Sequence, residues 1–332
     1  MREGRLLPVA LLTGVVLSAG PAVAGPTRGD VLRAARALVR RVLPDHEHQI
    51  IVRTIARRHG RDAFELKTRG TRLILAGSSG VAIASGLRYY LERNGNAHLG
   101  WGGTRLEVPA ELPAVPRLVR KRTSHKTRYA YNFTVYGYTT PYWDWPRWER
   151  EIDLLALSGF NLALVTVGYE KVIVQTFLRF GYSADELRDW IVPPAHQPWQ
   201  WLGNLEAAGP PESARLIEDR AGLGRRIVTR MRELGITPVL PGYYGLVPPG
   251  FAGRNAGARV VEQGTWLGAT ARPDLLDPAD ARHFAAVAHA HYRALRAVFG
   301  PVTHFAADPF NEGGNYPAAC FGIKTIHTDY YA

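Results

Sequence analysis

An Asn-Glu pair at residues 311–312 carries functional groups that could perform catalysis in this 332-residue sequence. It follows the apolar run 303–307, a predicted strand, and a carboxylic acid at the carboxyl end of a barrel strand is typical of a catalytic residue. Glu312 could protonate the leaving oxygen of a glycosidic bond, and Asn311 could hydrogen-bond the 2-substituent of the sugar. Retention of configuration then requires a second carboxylate about 5–5.5 Å away. The alternative is that Glu312 only caps a helix or loop.

Aromatic residues are concentrated well ahead of this pair in the chain. Nine lie between residues 129 and 148, and Trp199 and Trp201 lie on a later loop. The C–H faces of sugar rings pack on aromatic side chains, so such loops suit a carbohydrate pocket. We assign at least half of these aromatics to core packing. Single-stranded nucleic acid also stacks on aromatics, but basic residues are not interleaved with them, and we expect no nucleic-acid partner.

Two other polar clusters are better explained by helix ends than by chemistry. Asp185 and Glu186 follow Ser183 in the pattern of a capping box at a helix start. The Asp-His-Glu-His cluster at residues 45–48 fits the spacing of no standard metal motif, and a solvated helix end is its simpler interpretation. Cys320 is the only cysteine, which excludes a thiolate zinc site. We therefore expect neither a metal nor another cofactor.

Short apolar strands alternate with longer helical patterns from residue 129 onward. We predict strands at residues 129–136, 161–167, 237–240 and 303–307, and helices at 147–158, 170–180, 184–190, 213–234 and 278–299. This alternation is typical of a parallel sheet covered by helices, and in a (β/α)8 TIM barrel the loops after the strands build the active site. Because a barrel has eight such units and four are predicted, we interpret residues 129–332 as the first half of a barrel in an apparently truncated chain. A four-stranded open sheet is the alternative.

The first third of the chain is predicted to form a small α+β accessory domain over residues 25–116. An amphipathic helix at 28–43 precedes a hairpin at 64–76 and a helix at 81–92. Residues 117–128 are then interpreted as a basic linker. Domain and linker together hold 21 Lys and Arg against 8 Asp and Glu and account for the net charge of +12 of the whole sequence. A contact with an acidic glycan is a hypothesis for this region, and an arginine-rich surface without a ligand is the alternative.

Residues 1–24 are predicted to be a secretory signal peptide. Two arginines precede an apolar run at 6–17, and Ala-Val-Ala at 22–24 supplies the small residues of a cleavage site after Ala24. The apolar run is shorter than the roughly 20 residues that span a bilayer. We therefore expect a secreted or exported protein with no membrane contact after cleavage, and an N-terminal membrane anchor is the alternative.

Residues 143–153, with the sequence WDWPRWEREID, resemble the α-N-acetylglucosaminidase family, glycoside hydrolase family 89. Shorter matches follow in order at residues 159–164, 202–205, 237–241 and 308–312. The small domain ahead of the barrel also matches the layout of the family, and the resemblance covers residues 30–315. It implies a retaining enzyme that removes terminal α-linked N-acetylglucosamine from glycans.

The same resemblance assigns roles to individual residues. Glu312 matches the general acid/base of the family, and four residues match positions of its substrate pocket: Asn132, Tyr138, Trp199 and Asn311. The nucleophilic Glu of the family belongs to a later barrel strand and has no counterpart in this chain. A 2-acetamido group cannot replace it, because in an α-linked gluco-configured substrate that group lies on the same face as the leaving group. We therefore expect the chain to be inactive alone; a non-catalytic carbohydrate-binding protein is the alternative.

Overall fold

The computed structural model describes residues 26–57, 59–206, 208–308 and 311–312. Within these residues, an α+β domain precedes four parallel strands that are connected through helices. In the same part of the chain, no helix is both long and apolar enough to cross a membrane. The predicted signal peptide at residues 1–24 and the C-terminal stretch 316–332 lie outside the described residues.

The N-terminal domain combines a mixed sheet, a hairpin and two α-helices in the described residues. Its elements are α1 (Arg28–Val42), β1 (Ile50–Thr54), β2 (Ala63–Arg69), β3 (Arg72–Gly77), α2 (Gly80–Asn94), β4 (Ala97–Gly100), β5 (Gly103–Leu106) and β6 (Val119–Arg122). The sheet has the order β1-β3-β2-β6, with β1 parallel to β3 and the other pairs antiparallel. β4 and β5 form the separate hairpin.

Capping residues explain where the two helices of this domain begin. Thr27 and Asp30 form a capping box at the start of α1, and the hydroxyl of Ser79 accepts from the backbone N–H of Ala82 at the start of α2. The apolar faces of both helices belong to the hydrophobic core. The two predicted helices and the predicted hairpin between them are confirmed.

Part of the segment predicted to be a basic linker is a strand. β6 pairs antiparallel with β2 over residues 119–122 and forms an edge of the first sheet. Three of its four side chains are exposed and basic, so its hydrophobic pattern does not indicate a strand. Lys and Arg are common on edge strands because they discourage pairing with other chains.

The second domain follows the predicted alternation of strands and helices. Its strands are β7 (Tyr129–Ala130), β8 (Leu162–Leu164), β9 (Thr237–Pro241), β10 (Val260–Val261), β11 (Thr265–Trp266), β12 (Thr270–Ala271), β13 (Leu275–Leu276) and β14 (His304–Ala306). Its helices are α3 (Val135–Tyr138), α4 (Trp145–Leu157), α5 (Tyr169–Phe177), α6 (Ala184–Trp190), α7 (Gln197–Trp201), α8 (Ala214–Leu234), α9 (Phe251–Arg254) and α10 (Ala281–Phe299). Four of these strands form one parallel sheet in the order β7-β8-β9-β14. The order in the sheet follows the order along the chain, as in the first half of a β/α barrel.

The first barrel strand is shorter than predicted. The prediction of a strand over residues 129–136 is wrong beyond Ala130, because Tyr131 has a left-handed backbone (φ +75°) and the chain then turns into α3. The turn places α3 just beyond the carboxyl end of β7. In the long connection between β9 and α10, the sequence pattern also missed two short antiparallel ladders, β10 with β13 and β11 with β12.

The two domains meet along α2 and α8. A Cβ at Gly80 would lie 2.4 Å from the carbonyl oxygen of Leu234, so only glycine permits this approach of the two backbones. Arg41 of α1 adds a bidentate ion pair to Asp153 of α4, with N–O distances of 2.6 and 2.7 Å. The accessory domain therefore packs directly on the back of the helices that cover the barrel strands.

Candidate active site

Glu312 follows β14 at the carboxyl end of the parallel sheet. Its side chain is exposed, and the indole Nε1 of Trp266 donates a hydrogen bond to Glu312 Oε2 at 2.8 Å. Its backbone is left-handed (φ +55°), which is uncommon for a residue other than glycine and is often found at functional sites. Because the carboxylate bonds an indole rather than a helix terminus, its contacts do not support the alternative of a capping residue.

A pair of amides holds the loop that carries Glu312. The Nδ2 of Asn204 donates to the carbonyl oxygen of Asn311 at 3.0 Å, and the Nδ2 of Asn311 donates to Asn204 Oδ1 at 2.8 Å. Asn204 is fully buried, so both bonds are shielded from water. The residue next to Glu312 is thereby fixed to the loop that follows α7.

A buried arginine ties the same loop to the β11–β12 hairpin. The Nη2 of Arg272 donates to the carbonyl oxygen of Glu312 at 2.8 Å, and its Nη1 donates to the carbonyl oxygen of Gly203 at 3.1 Å. Arg272 is 5 % exposed. Hydrogen bonds from a charged donor stabilise more than neutral ones. Arg272 thus holds the backbone of Glu312, and Trp266 holds its carboxylate.

Tyr138 and Trp199, which we call the aromatic pair, face each other across two loops. Tyr138 ends α3 and Trp199 lies in α7, and their ring centroids are 5.0 Å apart in an edge-to-face arrangement. Tyr138 is 78 % exposed and Trp199 is half-buried. An exposed ring pair of this kind can pack against the C–H face of a sugar.

Asn132 has a local structural role at the same end of the sheet. Its Oδ1 accepts from the backbone N–H of Val135 at 3.2 Å and from the hydroxyl of Thr134 at 3.0 Å. These bonds close the turn that leads into α3 and so orient Tyr138. The side chain is exposed, and its Nδ2 group is a hydrogen-bond donor.

A short hydrogen-bonded path connects the aromatic pair with Glu312. The backbone N–H of Asn204 donates to the carbonyl oxygen of Trp199 at 2.8 Å, and the side chain of Asn204 bonds Asn311. The loops after the second and fourth barrel strands therefore form one continuous structure. The loop of Trp199 and the loop of Glu312 are thus joined through Asn204.

Glu206 is a second carboxyl group beside the hairpin. Burial raises the pKa of Glu206 to about 7, and the charge of Asp274 contributes. The indole Nε1 of Trp190 donates a hydrogen bond to Glu206 Oε2 at 2.7 Å, which opposes the rise. The backbone N–H of Glu206 donates to the carbonyl oxygen of Ala271 at 3.0 Å. These contacts are those of a carboxyl that anchors Trp190, and the sequence pattern did not indicate it.

The two clusters assigned to helix ends behave as predicted. Ser183 and Glu186 form the capping box of α6. Residues 45–48 lie in a 3-10 turn, where Glu47 forms an ion pair with Arg40 at 2.8 Å. Among the described residues, no group of three or more His, Cys, Asp or Glu side chains is arranged to hold a metal ion.

Comparison with known proteins places this geometry in a family. The family model for the α-N-acetylglucosaminidase TIM-barrel domain matches residues 128–328, and the model for the N-terminal domain of the same enzymes matches residues 33–114. The chain belongs to the α-N-acetylglucosaminidase family. It is 36 % identical to human α-N-acetylglucosaminidase over 315 residues, which cover 92 % of this chain and 42 % of the human protein.

Solved structures of the family agree. A family 89 glycoside hydrolase from Clostridium perfringens superposes with a TM-score of 0.84 at 35 % identity, over 92 % of this chain and 36 % of that one. The Clostridium perfringens enzyme in complex with its substrate GlcNAc-α-1,4-galactose gives a TM-score of 0.83 at 36 % identity, over 86 % and 33 % of the two chains. The chain thus spans about two fifths of the length of the human relative and about a third of the bacterial one.

For this α-N-acetylglucosaminidase family member, the structure brings Tyr138 into contact with Trp199 and bonds Asn311, the chain neighbour of Glu312, to Asn204. Asn132 instead closes the turn into α3. Three residues that orient these groups were not predicted from the sequence: Asn204, Trp266 and Arg272. Asn204 lies in the matched segment 202–205, which is the one signal that could have identified it.

Proposed function

We propose that this family member is a retaining exo-glycoside hydrolase that removes terminal α-linked N-acetylglucosamine, with Glu312 as its general acid/base. The observation that carries the proposal is the exposed Glu312 carboxylate held by the indole of Trp266. Its loop is bonded through Asn204 to the loop of Trp199, which supports a site shared by the acid and the aromatic pair. The similarity to enzymes whose names specify this sugar supports the substrate class.

The proposed reaction has two steps. First, a carboxylate attacks the anomeric carbon from the opposite face and forms a glycosyl ester, the glycosidic C–O bond breaks, and the aglycone leaves as an alcohol with the proton of Glu312. Then Glu312 accepts a proton from water, whose oxygen attacks the anomeric carbon, breaks the ester and releases the sugar. The resemblance assigns the attacking carboxylate to a later barrel strand, so we expect no turnover by residues 1–332 alone.

Three side chains supply complementary contacts to the sugar in this proposal. The aromatic pair packs against the C–H face of the ring. Because Asn204 accepts from the amide nitrogen of Asn311, the amide oxygen of Asn311 is the atom suited to accept from the N–H of the 2-acetamido group. A sugar without that N–H would leave the acceptor unpaired.

Calorimetric titration and an aryl glycoside assay test this proposal. We expect heat on binding of N-acetylglucosamine to the chain and none in Trp199→Leu, and a folded chain that gives no heat would contradict the proposed site. Turnover of an aryl α-N-acetylglucosaminide above that of Glu312→Gln would confirm the hydrolase and overturn the expectation that the chain is inactive alone.

Azide distinguishes the hydrolase from a non-catalytic carbohydrate-binding protein, the alternative favoured by the exposed aromatic pair. Azide can attack the anomeric carbon in place of a carboxylate and form a β-glycosyl azide, while the phenol leaves with the proton of Glu312. With a weakly acidic phenol we expect this product from the wild type and not from Glu312→Gln. No azide adduct from a chain that binds the sugar would support the binding protein.

Residues 25–128 are proposed to contact acidic glycans. The edge strand β6 supports this, because Arg120, Lys121 and Arg122 are all exposed along it. A double variant, Lys121→Glu with Arg122→Glu, should elute from heparin at lower salt than the wild type. The control is Arg179→Glu, an exposed site in the second domain. Equal elution of both variants would contradict the contact.

Export is proposed from the signal-like residues 1–24. We expect the protein in the culture medium, with Gly25 as its first residue after cleavage behind Ala24. N-terminal sequencing of the protein from medium and cells checks this. Uncleaved protein retained in the membrane fraction would support the N-terminal anchor instead.

A further inference from the structure

A buried guanidinium lies beneath the aromatic pair. Arg220 extends from α8 and is 9 % exposed. Its Nε donates to Glu170 Oε1 at 2.5 Å, its Nη1 to the carbonyl oxygen of Pro141 at 2.8 Å, and its Nη2 to Gln197 Oε1 at 3.3 Å. The proposed reaction uses none of these four residues.

Two of the three acceptors belong to the loops that carry the aromatic pair. Pro141 follows α3, which ends at Tyr138, and Gln197 is the first residue of α7, which contains Trp199. A single side chain of α8 thus bonds both loops at once. The rigid fork of N–H donors in arginine suits this arrangement, whereas the compact ammonium of lysine could not reach all three acceptors.

The two loops are in close contact at the aromatic pair itself. A Cβ at Gly137 would lie 2.4 Å from Cζ3 of Trp199 and 2.7 Å from the carbonyl oxygen of Ala195. At this packing density, a small shift of either loop must be transmitted to the other. The relative position of the two rings therefore depends on what holds the loops together.

The charges around Arg220 make a purely space-filling role unfavourable. Glu212 is also buried, and its Oε1 accepts from Gln197 Nε2 at 3.4 Å. Burial and the charge of Glu170 raise the pKa of Glu212 to about 7, although Arg220 opposes this. Among the described residues, the second oxygens of Glu170 and Glu212 have no hydrogen-bond partner. Burying these charged groups costs free energy, whereas apolar side chains of similar volume could be buried without that cost.

We propose that Arg220 is a positioning residue of the sugar site: by bonding Pro141 and Gln197 together, it sets the spacing and orientation of the aromatic pair. The inference rests on the proposed function, because it assumes that the aromatic pair binds N-acetylglucosamine. Arg220 acts through Tyr138 and Trp199 and does not itself touch the sugar.

Fluorine NMR of protein labelled with 5-fluorotryptophan tests the positioning without any ligand. The resonance of Trp199 is assigned by its disappearance in Trp199→Phe. We expect it to shift or broaden in Arg220→Gln and Arg220→Lys, and to stay unchanged in Arg230→Gln. Arg230 is a matched control because it is half-buried on the same helix and pairs with Glu149 at 2.6 Å, away from these loops.

The lysine variant keeps the test decisive if Arg220→Gln fails to fold. Lysine retains the charge opposite Glu170 but serves fewer acceptors, so a wild-type Trp199 resonance in Arg220→Lys would overturn the proposal. We also expect about tenfold weaker binding of N-acetylglucosamine to Arg220→Lys. A moved resonance with unchanged affinity would overturn the proposal too. A wild type that binds no sugar would contradict only the proposed function, because the resonance needs no ligand.

Discussion

The two sides of the candidate site are held by different means. On the aromatic side, the loops of Tyr138 and Trp199 touch at Gly137 and are bonded from below by Arg220. On the acid side, the Glu312 loop is held by single polar side chains that reach it from a neighbouring loop and hairpin. The aromatic side therefore depends on backbone proximity and on an arginine that is paired with Glu170. The acid side depends on hydrogen bonds from single side chains, among them the buried Arg272, which donates to backbone carbonyl oxygens.

The largest effect is expected on the acid side, from Arg272→Ala. The change leaves the carbonyl oxygens of Gly203 and Glu312 without their charged donor, and should lower the free energy of unfolding by about 3 kcal/mol. Denaturant unfolding measures this. Arg259→Ala is the control, because that exposed arginine makes only a 3.8 Å ion pair with Asp277. Equal losses in the two variants would show that Arg272 does not hold the loop.

On the aromatic side, Gly137→Ala should cost about 2 kcal/mol of unfolding free energy, because the new methyl group would overlap the Trp199 ring. Gly253→Ala is the matched control, since a Cβ there meets nothing within 4 Å. The same denaturant measurement applies, with tryptophan fluorescence as a second signal. An alanine at position 137 that leaves both stability and fluorescence unchanged would mean that the two loops are not in close contact.

The same contrast explains how much of the molecule could be predicted from sequence. The four barrel strands and the long helices of the second domain follow from local apolar patterns and capping residues such as Ser183 and Asp280. Glu312 could be selected because it follows a predicted strand, whereas Tyr138 and Trp199 are assigned to a pocket by the resemblance to the family. Trp266 and Arg272 could not, since their partners are distant in the chain and the short hairpin between them has no periodic pattern. Non-local hydrogen bonds of this kind leave no trace in the spacing of residues.

The pH dependence of stability reports on the charges beneath the aromatic pair. The pKa of Glu212 is about 7 in the folded state against 4.5 for an unperturbed Glu. The folded state therefore binds more protons than the unfolded state between these values, and stability falls as the pH rises from about 4.5 to 7. Glu212→Gln should remove part of this slope and be more stable than the wild type at pH 8, by about 1–2 kcal/mol.

Thermal or denaturant unfolding at several pH values measures that slope. The Glu212→Gln variant should retain the contribution of Glu206, because burial raises the pKa of Glu206 to about 7 as well. Asp219→Asn serves as the control, because Asp219 is an exposed residue of α8, the helix that follows Glu212, and makes a surface ion pair with Arg215 at 3.5 Å. If Glu212→Gln and Asp219→Asn have the same slope, the proton on Glu212 does not affect stability.

The smallest change in stability is expected from Tyr138→Leu, although its effect on binding should be large. Tyr138 is 78 % exposed, so its loss should alter the unfolding free energy by less than about 0.5 kcal/mol. Tyr142→Leu offers a close control, because Tyr142 is 72 % exposed on the same loop. Only Tyr138→Leu should weaken binding of N-acetylglucosamine in calorimetry. If both variants weaken binding equally, the contact between Tyr138 and Trp199 does not determine where the sugar binds. The difference between the two sides of the site would then have no consequence for binding.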